Sequence, residues 1–142
     1  MINWHNKEDS SWEGSFTSTF FCDDENSHEL SIGIQNSSLV DYAEKCVESF
    51  NSLPDDIIDK LCTKIIKCAK RSDDEFKRRS FDNVRDILKY CWFTMVYVGT
   101  PKNPNQASYV VEGEGEWGEE IGFAVKNDKL VYVGVDYFDY LK

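Results

Sequence analysis

Glu112, Glu114 and Glu116 recur at every second position of VEGEGEWGEE, residues 111–120, a stretch that also holds Glu119, Glu120, three glycines and Trp117. On an extended chain the three carboxylates share one face, with Val111 and two glycines on the other. Several chemistries use such a row. A glycosidase-type acid and base pair needs carboxylates whose environments drive their pKa values apart. A Ca²⁺ site needs oxygen ligands that wrap one ion, as a D-x-D-x-D-G loop does. A docking surface for a cationic partner needs negative charge around an aromatic anchor, the place Trp117 takes unless it packs in the core. Glutamates on one strand share an environment, and strand-borne carboxylates do not wrap an ion. The expected use is therefore a partner-binding surface of Glu112, Glu114, Glu116, Trp117, Glu119 and Glu120, extended by Asp136, Tyr137, Asp139 and Tyr140; the bland alternative is a solvated strand face.

Other chemistry finds little support. His5 and His28 are the only histidines, both in polar segments near the N-terminus, and neither has nucleophile or metal spacing. Cys62 and Cys68 lie six apart, where four would bring both thiols to one zinc ion. The chain carries no G-x-x-x-x-G-K-[ST], G-x-G-x-x-G after a strand, G-x-S-x-G or H-E-x-x-H. GEGEWG, residues 113–118, spaces its glycines like a phosphate loop, but its glutamates repel anions. No catalytic residue, cofactor or metal is expected. The five cysteines are expected to be reduced and mostly buried, because most sit in apolar periodic segments.

The elements that must hold this face follow from hydrophobic period. Trp12, Gly14, Phe16, Ser18 and Phe20 alternate with polar residues, and after DDENSH so do Leu30, Ile32 and Ile34, which predicts a hairpin. Leu39, Ala43, Cys46, Val47 and Phe50 keep helical spacing, with Ser37 or Ser38 placed to cap. Pro54 suits the first turn of a second helix, whose stripe runs through Ile57, Ile58, Leu61, Cys62, Ile65, Ile66 and Ala69. SDDE, residues 72–75, has the form of a capping box for a short helix through Arg79, and Phe81, Val84, Leu88 and Cys91 continue helical spacing. WFTMVYVG, residues 92–99, is apolar on both phases and predicts a buried central strand. ASYVVEGEGE follows, then a hairpin around KND, residues 126–128. The expected fold is α+β: an N-terminal β-hairpin, three to four central helices, then about four mainly antiparallel strands in one sheet with the helices packed against it. Residues 1–142 read as a single globular domain.

The apolar fraction of 41% and aromatic fraction of 14% suit a folded chain. The net charge of −10 is uneven: residues 1–59 carry 13 acidic against 2 basic side chains, residues 60–89 carry 5 against 10, and residues 90–142 carry 8 against 4. Such a surface repels nucleic-acid phosphates over most of its area and favours cationic partners. Lys60, Lys64 and Lys67 line one helical face and read as a solvated face or an anion-facing patch. No apolar run is long enough to cross a bilayer and the N-terminus lacks a secretory layout, so no membrane partner and a cytoplasmic location are expected.

The last third, VVEGEGEWGEEIGFAVKNDKLVYVG, resembles the closing hairpin of small bacterial domains of uncharacterised function, with an EGE-x-x-W-x-x-E segment before a G-aromatic strand. The matching positions are Glu112, Gly113, Glu114, Trp117, Glu120, Gly122, Val133 and Gly134; Ile121 stands where the pattern commonly has a His. The whole chain resembles the immunity proteins of bacterial polymorphic toxin systems, including contact-dependent growth inhibition. The resemblance implies a protein that binds and neutralises a cognate cationic toxin domain, often a basic nuclease, by occluding its active site. A non-catalytic regulatory or structural binding module and an enzyme are the other two classes open to this sequence.

Overall fold

The computed structural model describes residues 1–7, 11–18 and 28–141, and of His28 the backbone only. Seven strands form one sheet in chain order: β1 (Asn3–Lys7), β2 (Trp12–Ser18), β3 (His28–Ile34), β4 (Cys91–Val98), β5 (Tyr109–Gly115), β6 (Gly122–Lys126) and β7 (Lys129–Gly134). Neighbours are antiparallel except β3 and β4, which run parallel. A parallel pair needs a long crossover, and α1 (Val40–Asn51), α2 (Asp55–Ser72) and α3 (Asp74–Arg78) lie in it. The fold is α+β, as the segregation of periods implies.

The predicted N-terminal hairpin is β2 against β3, in register from Trp12↔Ile34 to Ser18↔His28; its turn and Thr19 to Cys22 fall outside the described residues. β1 raises the strand count above expectation. NWHNK has no alternating apolar pattern, and the strand joins the edge of the sheet through its backbone pairing with β2.

Along one face of the sheet, Gly14, Ile32, Val96, Val111, Phe123 and Val133 form a single row across six strands. The apolar stripes of α1 and α2 close over this face, joining Ala43, Cys46, Phe50, Leu61, Cys62 and Ile65 to the same core. Lys60, Lys64 and Lys67 occupy the exposed side of α2. Asp55 and Asp56 begin that helix and Lys70 and Arg71 end it, which complements its dipole.

The helix ends correct the expected caps. Asn36, rather than Ser37 or Ser38, accepts from Ser38 N–H and starts a 3₁₀ turn leading into α1. Pro54 stands one residue before α2 in an extended conformation. Asp73, rather than Ser72, caps α3 by accepting from Glu75 and Phe76 N–H, because α2 runs on through Ser72. Val84–Tyr90 is 3₁₀ helix, tied to α2 where Arg85 meets Asp55 at 3.0 Å and Asp59 at 2.8 Å.

Strand β4 also corrects its reading. It is not buried on both faces: the register slips between Phe93 and Met95. Phe93, Val96 and Val98 face the helices, whereas Trp92, Met95 and Tyr97 lie on the other side. A bulge inserts one residue and reverses the phase, so two half-strands out of step read as a continuous apolar run.

Candidate binding face

Opposite the helices, the sheet surface is built of cross-strand rows. Partners across a ladder point to the same face, so Asn6, Glu13, Gly33, Tyr97, Val110, Ala124 and Tyr132 form one row. Asn3, Ser15, Ser31, Met95 and Glu112 form the next. Beyond them Thr17 pairs Glu29, and Trp92 pairs Glu114. A 3₁₀ turn, Tyr137–Tyr140, covers the β5–β7 end of this face and packs with Leu141 on Val110 and Ala124. From β2 to β4 no α-helix lies over it among the described residues, and only Phe138 and Leu141 of the C-terminal segment reach its edge.

Glu112 and Glu114 therefore share a face, as their spacing requires. Glu116 lies past the end of β5, exposed, and its N–H donates to Tyr90 O at 2.8 Å. Glu119 is exposed in the same turn, and Glu120 returns to bridge Glu114. Asp136 and Asp139 are exposed around the C-terminal turn.

Two of the expected contact residues are corrected. Trp117 is 7% exposed and belongs to the helix-side core, edge-on to Phe76 at 5.6 Å. Gly113 and Gly115 explain how it fits. A Cβ at Gly115 would stand 2.4 Å from the indole, and one at Gly113 would stand 2.8 Å from the Phe93 ring. The glycines between the glutamates thus let two large rings lie against the strand backbone. Tyr137 is 1% exposed, its ring over Gly122. Neither is a surface anchor.

Tyrosine hydroxyls organise two of the carboxylates. Tyr97 donates to Glu112 Oε1 at 2.8 Å and Tyr137 to Glu120 Oε1 at 2.9 Å. Burial, then the hydrogen bond and charge of Glu112, then the charge of Glu13 push the Tyr97 phenol up from 10.0 to about 12. Burial first, then the hydrogen bond to Glu120 and the charges of Glu112 and Glu120, raise Tyr137 as well. Both phenols stay neutral donors at ordinary pH, holding carboxylate oxygens in place.

The aromatic surface lies elsewhere. Trp92 is 44% exposed beside Glu114, and Phe138 is 46% exposed, edge-on to Tyr97 at 4.9 Å. Sequence reasoning missed Trp92, Phe138, Glu13 and Tyr97 as members of one surface. For Trp92 the signal was present, since it alternates with Cys91 and Phe93, but the bulge hides the alternation further along β4. For Glu13 nothing local shows that β2 and β4 sit on either side of β3.

The arrangement can bind and orient cationic groups: carboxylates held by phenols, beside exposed rings. His5 is exposed on β1. Among the described residues no three His, Cys, Asp or Glu side chains are grouped to hold a metal ion, and no helix is long and apolar enough to cross a membrane.

No curated protein and no solved structure matches the chain. A family model described as "Domain of unknown function (DUF6985)" matches residues 3–140. A match over nearly the whole chain places every described strand and helix inside the family unit, and the protein belongs to the DUF6985 family.

Proposed function

We propose that the protein is a stoichiometric binding protein whose uncovered sheet face docks a cationic protein domain, and that this partner is a toxin domain which it neutralises as an immunity protein. The observation that carries the docking is the group of carboxylates on the uncovered sheet face. Glu13, Glu29, Glu112, Glu114 and Glu120 stand on or beside the sheet face, around the exposed rings of Trp92 and Phe138, whereas Lys60, Lys64 and Lys67 lie outside the helix layer. A face of this sign attracts a basic surface, because its field steers encounter before contact. A toxin that grips phosphate needs cationic residues in its groove, and covering them blocks substrate. The toxin identity comes from the family resemblance of the sequence, and the cytoplasmic site of action goes with it. On this reading the protein acts by occupancy and turns nothing over.

The test is co-purification with the product of the adjacent reading frame, followed by association kinetics. Glu112→Lys with Glu114→Lys should slow association and flatten its salt dependence, because exposed charges act mainly on the on-rate. Lys60→Glu with Lys64→Glu should not slow it. Association that ignores the sheet-face reversals would remove this face as the interface, and a partner with no toxic activity would remove the immunity role.

A further inference from the structure

On the uncovered face a trough of about 240 Å³ runs beside the C-terminal turn, lined by Glu13, Gly33, Met95, Tyr97 and Leu141 among others. Its volume is well above the ~10–15 Å³ that one water occupies by the same measure. Gly33 makes it. Glu13, Gly33 and Tyr97 are direct neighbours on β2, β3 and β4, so the missing side chain at Gly33 leaves a gap between a carboxylate and an aromatic ring. Met95 borders the gap, its Cε 3.0 Å from where a Gly33 Cβ would be, and Leu141 closes one end.

We propose that this trough is the seat for one arginine side chain of the protein partner. The inference rests on the reading of the sheet face as a docking surface, and it names the group that the face selects. Three features match the occupant. The thioether of Met95 and the side chain of Leu141 suit an alkyl stem, which long cationic side chains bury readily. The Tyr97 ring suits a planar guanidinium, which stacks on aromatic faces as an ammonium does not. Glu13 sets negative charge at the rim, and Glu112 holds the Tyr97 hydroxyl. Among the described residues Glu13 takes part in no salt bridge, so its charge is open to an incoming cation. An anionic side chain would meet the Glu13 carboxylate, and a neutral alkyl chain would leave Glu13 desolvated without a partner.

The probe is N-acetyl-arginine-N-methylamide, titrated into the whole chain and followed through the backbone amide resonances of residues 13, 33, 95 and 97. Saturable shifts are expected at these positions. N-acetyl-norleucine-N-methylamide should bind roughly tenfold more weakly or worse, as loss of one charge-assisted hydrogen bond implies. Gly33→Leu fills the gap against the flexible end of Met95 and should abolish the shifts; Glu13→Gln, which changes no packing, should weaken binding by a similar factor to the norleucine probe. Equal response to both probes, or arginine binding retained in both variants, would overturn the proposal. The two readings separate in the partner assay. If Gly33→Leu leaves partner affinity unchanged while Glu112→Lys and Glu114→Lys slow association, the trough proposal fails and the docking face stands. If arginine occupies the trough and the sheet-face reversals leave partner association unchanged, the docking face fails.

Discussion

The indole of Trp117 rests on the backbone of Gly115, two residues before it, so closely that a Cβ there would come within 2.4 Å of the ring. The contact turns the chain after β5 back under the sheet and seats Trp117 against Phe76 of α3. Gly115→Ala should destabilise by about 1–3 kcal/mol through overpacking, and Trp117→Ala by about 3–5 kcal/mol through the cavity it leaves. Denaturant midpoints measure both. A Trp117→Ala protein with an unchanged midpoint would show that the ring contributes no core packing.

Trp92 should behave in the opposite way. Its ring is partly in solvent beside Glu114, so Trp92→Ala should move stability by no more than about 0.5 kcal/mol. As an anchor among carboxylates it should contribute about 2 kcal/mol of binding to the cationic partner, lost mainly as faster dissociation. Surface plasmon resonance on the folded variant distinguishes this from a ring with no role, which would leave dissociation unaltered.

Alkali should unfold the protein ahead of any backbone chemistry. Tyr42 and Tyr97 are pushed up from 10.0 to about 12 by burial first, and Tyr109 and Tyr137 are raised too. Burial also raises the thiols of Cys46 from 9.0 to about 11, and of Cys62 and Cys91 to about 12. These groups lose protons earlier in the unfolded chain than in the native one, so the stability they contribute is whole below pH 9 and falls as pH rises towards 12. Tyr97→Phe removes one such group and should make the decline between pH 10 and 12 shallower. Denaturant midpoints across that range check the slope; a midpoint that rises with pH there would contradict the sign.

Thiol chemistry should follow burial. Cys46, Cys62, Cys68 and Cys91 form no disulfide, and all but Cys68 are buried. Cys46 and Cys91 donate to the carbonyls of Ser108 and Ile87, each at 3.6 Å. A neutral, buried thiol is a poor nucleophile. In a timed alkylation read by mass spectrometry, Cys68 should react before the other three, which should react only as the chain unfolds. Early labelling of Cys46 or Cys62 would mean that α1 or α2 opens locally.

How much of the site was legible divides along the same line as the fold. The period of two in β5 was enough to put Glu112 and Glu114 side by side, and the same alternation in β2 and β3 paired Trp12 to Ser18 with His28 to Ile34. Trp117 offered no local sign of which side it takes, because a turn residue has no period to obey. Its burial depends on α3, which brings Phe76 from 41 positions away in sequence to 5.6 Å between ring centroids.

By itself, then, the sequence determined the order of strands and helices from β2 onward, the apolar faces that become the core, and the concentration of negative charge towards the two ends of the chain. These follow from side-chain periodicity and composition, which act over a few residues at a time. Tertiary structure alone decided that β3 and β4 lie parallel as neighbours, that a bulge after Phe93 puts Met95 and Tyr97 on the same side as Trp92, and that Glu13, Gly33 and Tyr97 meet in one row. The reason is physical: strand adjacency and register come from burying all the apolar faces at once, and that is a property of the packed sheet which no single segment contains.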